Sequence, residues 1–181
     1  MGKGLKMTEH KRLSVYYSRR GNNYVNGSIV NLPVGNTEVI AKKIQNLTGS
    51  DLFQIETVKP YPEDYTETTE VSKVELKQNA RPELAKTVAD MDSYEVIYLG
   101  YPNWWGTMPM AVFTFLESYD FSGKTIVPYC THEGSGLGSS ERDIKRLCPT
   151  AKVLPGLAIK GSTVARADSD VANWLRTHRL I

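Results

Sequence analysis

Tyr94-Glu95-Val96-Ile97-Tyr98-Leu99-Gly100-Tyr101-Pro102-Asn103-Trp104-Trp105-Gly106 reads as a strand that stops abruptly in a loop carrying two tryptophans. The run from Val96 to Leu99 is β-branched, aromatic and free of proline, as a buried strand should be. Gly100, Pro102, Asn103 and Gly106 are turn formers, yet two indoles sit among them. Loops are ordinarily polar because they run through water. A loop that keeps two indoles beside a proline either folds them back over the core, where large aromatics bury well, or presents them to something flat.

Working outward, the bulk composition sets limits. A length of 181 residues suits one domain with a single large core. With 40% hydrophobic and 23% charged residues, disorder is not the expectation. The net charge of +2 points to neither nucleic-acid binding nor an acidic docking face. No run approaches the roughly 18–20 apolar residues of a membrane span. Residues 1–11 are basic with no apolar stretch behind them, so they read as a tail before a domain of residues 12–181, and not as a signal peptide. A cytoplasmic location follows as the expectation, with Cys130 and Cys148 as free thiols and the Asn26-Gly-Ser and Asn46-Leu-Thr tripeptides as chance matches to a glycosylation pattern.

Strands are expected at 12–17, 51–58, 94–101, 124–129 and 152–160, the last bent at Pro155-Gly156. Helices are expected between and after them. Val39, Ile40, Ile44 and Leu47 mark one apolar face, with Gly49 just past its end; residues 63–78 form an exposed helix and 82–89 a short helical turn. Met110, Val112, Phe113 and Leu116 form the next buried face behind Pro109; residues 139–147 follow, and Asp168 caps the last helix. This β-α alternation predicts an α/β fold: a three-layer α-β-α sandwich around a five-stranded parallel sheet of order 2-1-3-4-5. That order brings the loops after strands 1, 3 and 4 together at the carboxyl edge, where such sheets bind ligands.

Each of those loops has its own chemistry. In the first, Ser18, Asn36 and Thr37 offer hydroxyl and amide groups, Arg19 and Arg20 offer charge, and a helix N-terminus favours an anion. Gly-Asn occurs twice, at 21–22 and 35–36; the helix start favours Asn36-Thr37 as the phosphate seat, and a plain helix cap is the simpler alternative. The second loop offers Trp104 and Trp105. The third, Thr131-His132-Glu133-Gly134-Ser135-Gly136-Leu137-Gly138, is glycine-rich enough for backbone to approach a flat ligand. An anion seat, an aromatic face and bare backbone donors together describe a site for flavin mononucleotide (FMN).

These segments resemble the flavodoxin-like family over residues 12–178. The resemblance implies FMN as cofactor, with its phosphate at Ser18, Arg20, Gly35, Asn36 and Thr37. It implies a ring face along Tyr101, Pro102, Asn103, Trp104, Trp105 and Gly106. Thr131, His132, Glu133, Gly134, Ser135, Gly136 and Leu137 would line the other side, His132 with a positive or donor group. The implied function is electron transfer through FMN to a redox partner protein or a small aromatic acceptor. Two alternatives stand beside it: an NAD(P)H-dependent FMN quinone reductase, and a domain of this fold without cofactor that acts as a binding module. Small flavodoxin shuttles are strongly acidic and this chain is not, which leaves room for the reductase.

Other motifs fail on spacing. Gly123-Lys124-Thr125 lacks the earlier glycine of a phosphate-binding loop, since position 118 is serine. His132-Glu133 has Gly136 where a zinc protease needs its second histidine. Three scattered histidines and two cysteines outline no metal cluster.

Overall fold

The computed structural model describes residues 11–181. The expected tail lies outside them except for Lys11, whose carbonyl accepts from the Glu95 amide at 2.9 Å, so this residue is tied to the sheet. In chain order come β1 (Arg12–Tyr16), β2 (Gly21–Val25), β3 (Ser28–Leu32), α1 (Asn36–Thr48), β4 (Asp51–Gln54), α2 (Tyr65–Lys77), β5 (Val96–Pro102) and α3 (Met110–Glu117). They are followed by β6 (Thr125–His132), α4 (Ser140–Leu147), β7 (Lys152–Val153), β8 (Leu157–Lys160) and α5 (Asp168–Thr177).

The central sheet runs β4-β1-β5-β6-β7, with β8 also paired to β6, and every pairing in it is parallel. Strand β5 is buried from Val96 to Tyr101, which is why it reads as an unbroken apolar run. Leu13, Val15, Ile97, Leu99 and Ile126 face one core with Phe115, Leu116 and Ile144 of α3 and α4. Tyr16, Tyr98, Val127 and Tyr129 face the other, against Ile40 and Ile44 of α1 and Val171 and Leu175 of α5. These are the expected three layers. The chain leaves β1 toward one face and β5 toward the other, so the crevice between them is the switch point of the sheet.

The sheet order departs from expectation in detail. The fifth strand is two short strands, because Pro155 cannot donate to the ladder and its carbonyl instead accepts from Trp174 Nε1 at 3.1 Å. Residues 21–32, where no strand is expected, form an antiparallel hairpin of their own. Its turn is Asn26-Gly27, both in the left-handed region (φ 53° and 87°), the geometry that tight two-residue hairpins need.

Local expectations are corrected at four places. Strand β4 ends at Gln54, short of Val58. Residues 82–89 are no helical turn: Leu84 bridges Thr57, and extended backbone satisfies the amides of Val58 and Ala85. Asp168 does not cap α5; it lies in the first turn and pairs with Lys43 at 2.6 Å. Leu47 is exposed, and Ile40, Ala41 and Ile44 form the buried face of α1.

Gly100, in mid-strand β5, is required by a close approach. A Cβ there would stand 2.1 Å from Cζ of the fully buried Tyr129 ring. Gly100→Ala is therefore expected to lower the free energy of unfolding in urea by about 1–3 kcal/mol, as overpacking does.

Candidate functional site

The site is a cleft of about 360 Å³ at the carboxyl ends of β1, β5 and β6, within the roughly 300–1,000 Å³ of small-molecule sites. Its floor is a seam between the loops after β5 and β6. Asn103 Nδ2 donates to the Gly136 carbonyl at 2.8 Å, and Asn103 Oδ1 accepts from the Gly106 amide at 2.9 Å. The amides of Asn103 and Ser139 donate to the carbonyls of Thr131 and Gly106. A Cβ on Gly138 would lie 2.1 Å from the Gly106 carbonyl oxygen, so the seam closes only over bare backbone.

The two tryptophans diverge. Backbone bonds join Trp104 and Thr107, and Trp105 and Gly106 take positive φ (57° and 88°) to make the turn. Trp104 therefore turns in, edge-on to Tyr17 and Tyr61 at centroid distances of 5.3 and 5.2 Å. Trp105 turns out and is half exposed; its Nε1 donates toward the Thr69 carbonyl and Ser72 Oγ of α2, each at 3.1 Å. Both line the cleft, with Pro102, Asn103 and Gly106.

The first loop contributes Arg19, Asn36 and Thr37. The Thr37 hydroxyl bonds the Thr131 hydroxyl at 2.8 Å, joining the start of α1 to the end of β6 inside the cleft. Gly35 precedes the helix without a side-chain cap. Ser18 serves instead, its Oγ accepting the Glu38 amide at 3.1 Å. A Cβ on Gly35 would stand 2.2 Å from that oxygen, so Gly35 keeps the two segments together from behind the cleft wall. Of the repeated Gly-Asn pairs, only Asn36 lines the cleft; Asn22 lies in hairpin strand β2.

Several predicted residues do not reach the cleft. Arg20 pairs with Glu38 at 3.0 Å, while the next residue back along the chain, Arg19, faces the cleft. Tyr101 is fully buried in the core, its hydroxyl donating to Ser140 Oγ at 2.9 Å, because alternation along β5 turns it inward. Leu137 packs on the core, and Gly136 has its carbonyl taken by Asn103. Gly134 is exposed, and its amide donates to His132 Nδ1 at 2.9 Å. Burial pushes the pKa of His132 down, so it lines the cleft as a neutral ring at neutral pH and not as a cation. Burial also raises the Cys130 thiol to about 12 and the Cys148 thiol to about 11, so neither is a thiolate nucleophile.

Glu133 has an unusual place. One carboxylate oxygen accepts from the Asn26 amide at the hairpin tip, 2.6 Å away. The other is shut off from solvent and has no hydrogen-bond partner. That second oxygen and Asn36 Nδ2 both lie within 3 Å of the point where a Cβ on Gly161 would stand, at 2.4 and 2.7 Å.

The cleft also draws on residues that sequence reasoning missed: Asn23 and Tyr24 of the hairpin, Gly161, and a stripe on α2. Tyr65, Thr68, Thr69 and Ser72 stand at i, i+3, i+4 and i+7, so one hydroxyl-bearing helix face was there to be read. Asn26-Gly27 between Tyr24 and Ile29 was likewise a hairpin signal. Tyr24 and Tyr65 stack at 6.1 Å and join hairpin to helix. Nothing in sequence marks Gly161, whose role is the absence of a side chain at a distant contact.

A family model described as Flavodoxin matches residues 30–178. Among solved structures, a candidate flavoprotein from Bacteroides eggerthii superposes with a TM-score of 0.76 at 26% identity, covering 93% of this chain and 98% of the other. One from Bacteroides uniformis gives 0.73 at 25% identity, covering 92% and 98%. A flavoprotein from Lactobacillus acidophilus, solved in complex with FMN, gives 0.64 at 20% identity, covering 92% and 99%. No curated protein matches the sequence. Among the described residues, no helix is long and apolar enough to cross a membrane.

The diversion of Arg20 makes a pH prediction. Arg20 chiefly, with Lys42, holds the Glu38 carboxyl below the ordinary glutamate range against the opposing effect of burial. Its folded pKa is depressed, so its stabilisation is complete above the unfolded value, near ~4.3. It is lost as pH falls through the lower folded value. Glu38→Gln should flatten the acid limb of the stability curve below about pH 4.3, measured by urea unfolding across pH; an unchanged acid limb contradicts the pairing.

Proposed function

This chain belongs to the flavodoxin family, and from that premise we propose that its cleft binds FMN and that the protein transfers electrons through it. The observation that carries the reading is the donor set at the amino end of α1. Asn36, Thr37 and Thr131 converge there with Arg19 on the carboxyl edge of the sheet. The 13-residue helix has its Glu38 amide taken by Ser18 Oγ and its Val39 amide by the Gly35 carbonyl, which leaves the amides of Asn36 and Thr37, with the partial positive charge of the helix start, directed to that point. This chemistry suits a phosphate. The loop 102–106, with its diverging indoles, suits a planar ring. The backbone of the glycine-rich loop, residues 131–135, suits the polar edge of that ring.

Within this proposal Asn36 and Thr37 hold the phosphate, with Arg19 in the place the sequence suggested for Arg20. Ser18 and Gly35 act one step back: the Ser18 hydroxyl fixes the first turn of α1, and Gly35 lets it come close. Trp104 and Trp105 bound the ring. FMN, when bound, supplies reversible uptake and release of electrons; the protein supplies seat, orientation and surroundings. Electron-rich indoles disfavour added negative charge beside them, so Trp104 and Trp105 act toward a lower reduction potential. The match of residues 30–178 to the flavodoxin family model and the FMN complex of the Lactobacillus acidophilus neighbour support the cofactor assignment.

A second reading, an NAD(P)H-dependent reductase of quinones or similar aromatics, is favoured by one observation. The cleft extends past the three loops to the stacked Tyr24 and Tyr65 and the α2 stripe, which gives a flat second ligand somewhere to lie. Steady oxidation of NAD(P)H by the FMN-loaded protein, without a separate reductase, selects this reading; its absence selects the carrier.

The cofactor assignment is tested by fluorescence titration. The chain should bind FMN at one site and quench its fluorescence; a chain that takes up no FMN favours the alternative of a binding module without cofactor. Thr37→Val should weaken FMN more than riboflavin, which lacks the phosphate, and equal losses contradict the seat. Of Trp104→Ala and Trp105→Ala, the one removing the ring contact should cost about 1–3 kcal/mol of FMN affinity; two unchanged dissociation constants contradict the ring face.

A further inference from the structure

Glu133 is the feature the proposed function leaves unexplained. Its carboxylate holds two positions at once. One oxygen takes the backbone amide of Asn26, the outermost turn of the 21–32 hairpin. The other is buried with no donor bonded to it among the described residues, although it lies beside Gly161, as Asn36 Nδ2 does, in the wall of the cleft. Charged oxygens shut away from donors are rare because they forfeit strong hydrogen bonds. A missing donor in a ligand cleft is a donor the ligand can bring.

The hairpin has reason to need that donor. A two-stranded ribbon is marginal by itself in water, and among the described residues β2 and β3 pair only with each other. Its ties to the rest of the molecule include Arg19 to the Asn22 carbonyl at its base, the Tyr24–Tyr65 stack at its middle and Glu133 at its tip. Tyr24 and Asn23 line the cleft, so where the hairpin lies decides how far the cleft is covered. The tip tie comes from the glycine-rich loop on the opposite wall.

We propose that the hairpin is a lid over the cleft, that Glu133 is its latch, and that a hydroxyl of the ligand's sugar-alcohol chain completes the latch by donating to the unpartnered Glu133 oxygen. The inference rests on the flavin reading above and deepens it. The same carboxylate then reads the hydroxylated chain that links ring to phosphate and closes the hairpin over it. Glu133 is a positioning and selectivity residue; it exchanges neither electrons nor protons with the ring.

Three flavins separate the parts: lumiflavin, with a ring alone; riboflavin, with ring and hydroxyl chain; and FMN, with phosphate added. Glu133→Ala should weaken riboflavin and FMN by the same factor, about tenfold for a lost charge-assisted bond, and leave lumiflavin unchanged. Glu133→Gln, which preserves size, should fall between. Hydrogen exchange supplies a readout independent of redox activity: the amides of residues 22–31 should exchange faster in Glu133→Ala even without ligand. In the wild type riboflavin should slow them more than lumiflavin does. Tighter FMN binding in Glu133→Ala would mean that the carboxylate opposes the phosphate, and would overturn the inference. So would equal losses for all three flavins, or hairpin exchange unaltered in the ligand-free variant. Failure of the wild type to bind any flavin overturns the cofactor reading; exchange in the ligand-free variant still judges the latch on its own.

Discussion

The cleft depends on one seam, the backbone contact between the loops leaving β5 and β6. Gly106 and Gly138 approach until a single added carbon on Gly138 would strike a carbonyl oxygen. Asn103 then pins both loops with its side-chain amide, donating across to Gly136 and accepting from Gly106. Two glycine-containing loops are ordinarily loose. Here mutual hydrogen bonding satisfies their polar groups and gives the cleft a fixed floor.

The rest of the site follows from that floor. Because the turn at 105–106 takes positive φ twice, consecutive indoles point in different directions, one anchored on Tyr17 and Tyr61 and one on helix α2. Because β6 runs on to His132, Thr131 arrives opposite Thr37 and brings the α1 start into the same cleft. The Glu38 ion pairs draw Arg20 away and leave Arg19 as the lining cation. The walls beyond, hairpin and α2, come from segments outside the three loops and meet through Tyr24 and Tyr65.

The layered architecture was legible because parallel strands buried on both faces, such as Val96–Tyr101, leave a signature in sequence that needs no knowledge of partners. The convergence of 18–37, 101–106 and 131–138 followed from topology, and the structure brings Asn36, Thr37, Trp104, Trp105, Thr131 and Glu133 to one cleft. What escaped was set by contacts between distant residues. Whether Arg19 or Arg20 faces inward depends on Glu38, and Tyr101 was lost to the core through strand alternation that the loop reading overlooked. The break in the edge strand was visible at Pro155-Gly156, but the separate pairing of both pieces with β6 was not. The hairpin and the α2 stripe had readable signals that went unused, whereas Gly161 had none.

The most direct test of the account is a crystal structure of the chain grown with FMN. The account predicts one cofactor in the cleft, its phosphate against Asn36 and Thr37 and its ring beside the 102–106 loop, with the hairpin closed over the connecting chain. Phosphate density elsewhere, or a ring away from Trp104 and Trp105, would contradict it.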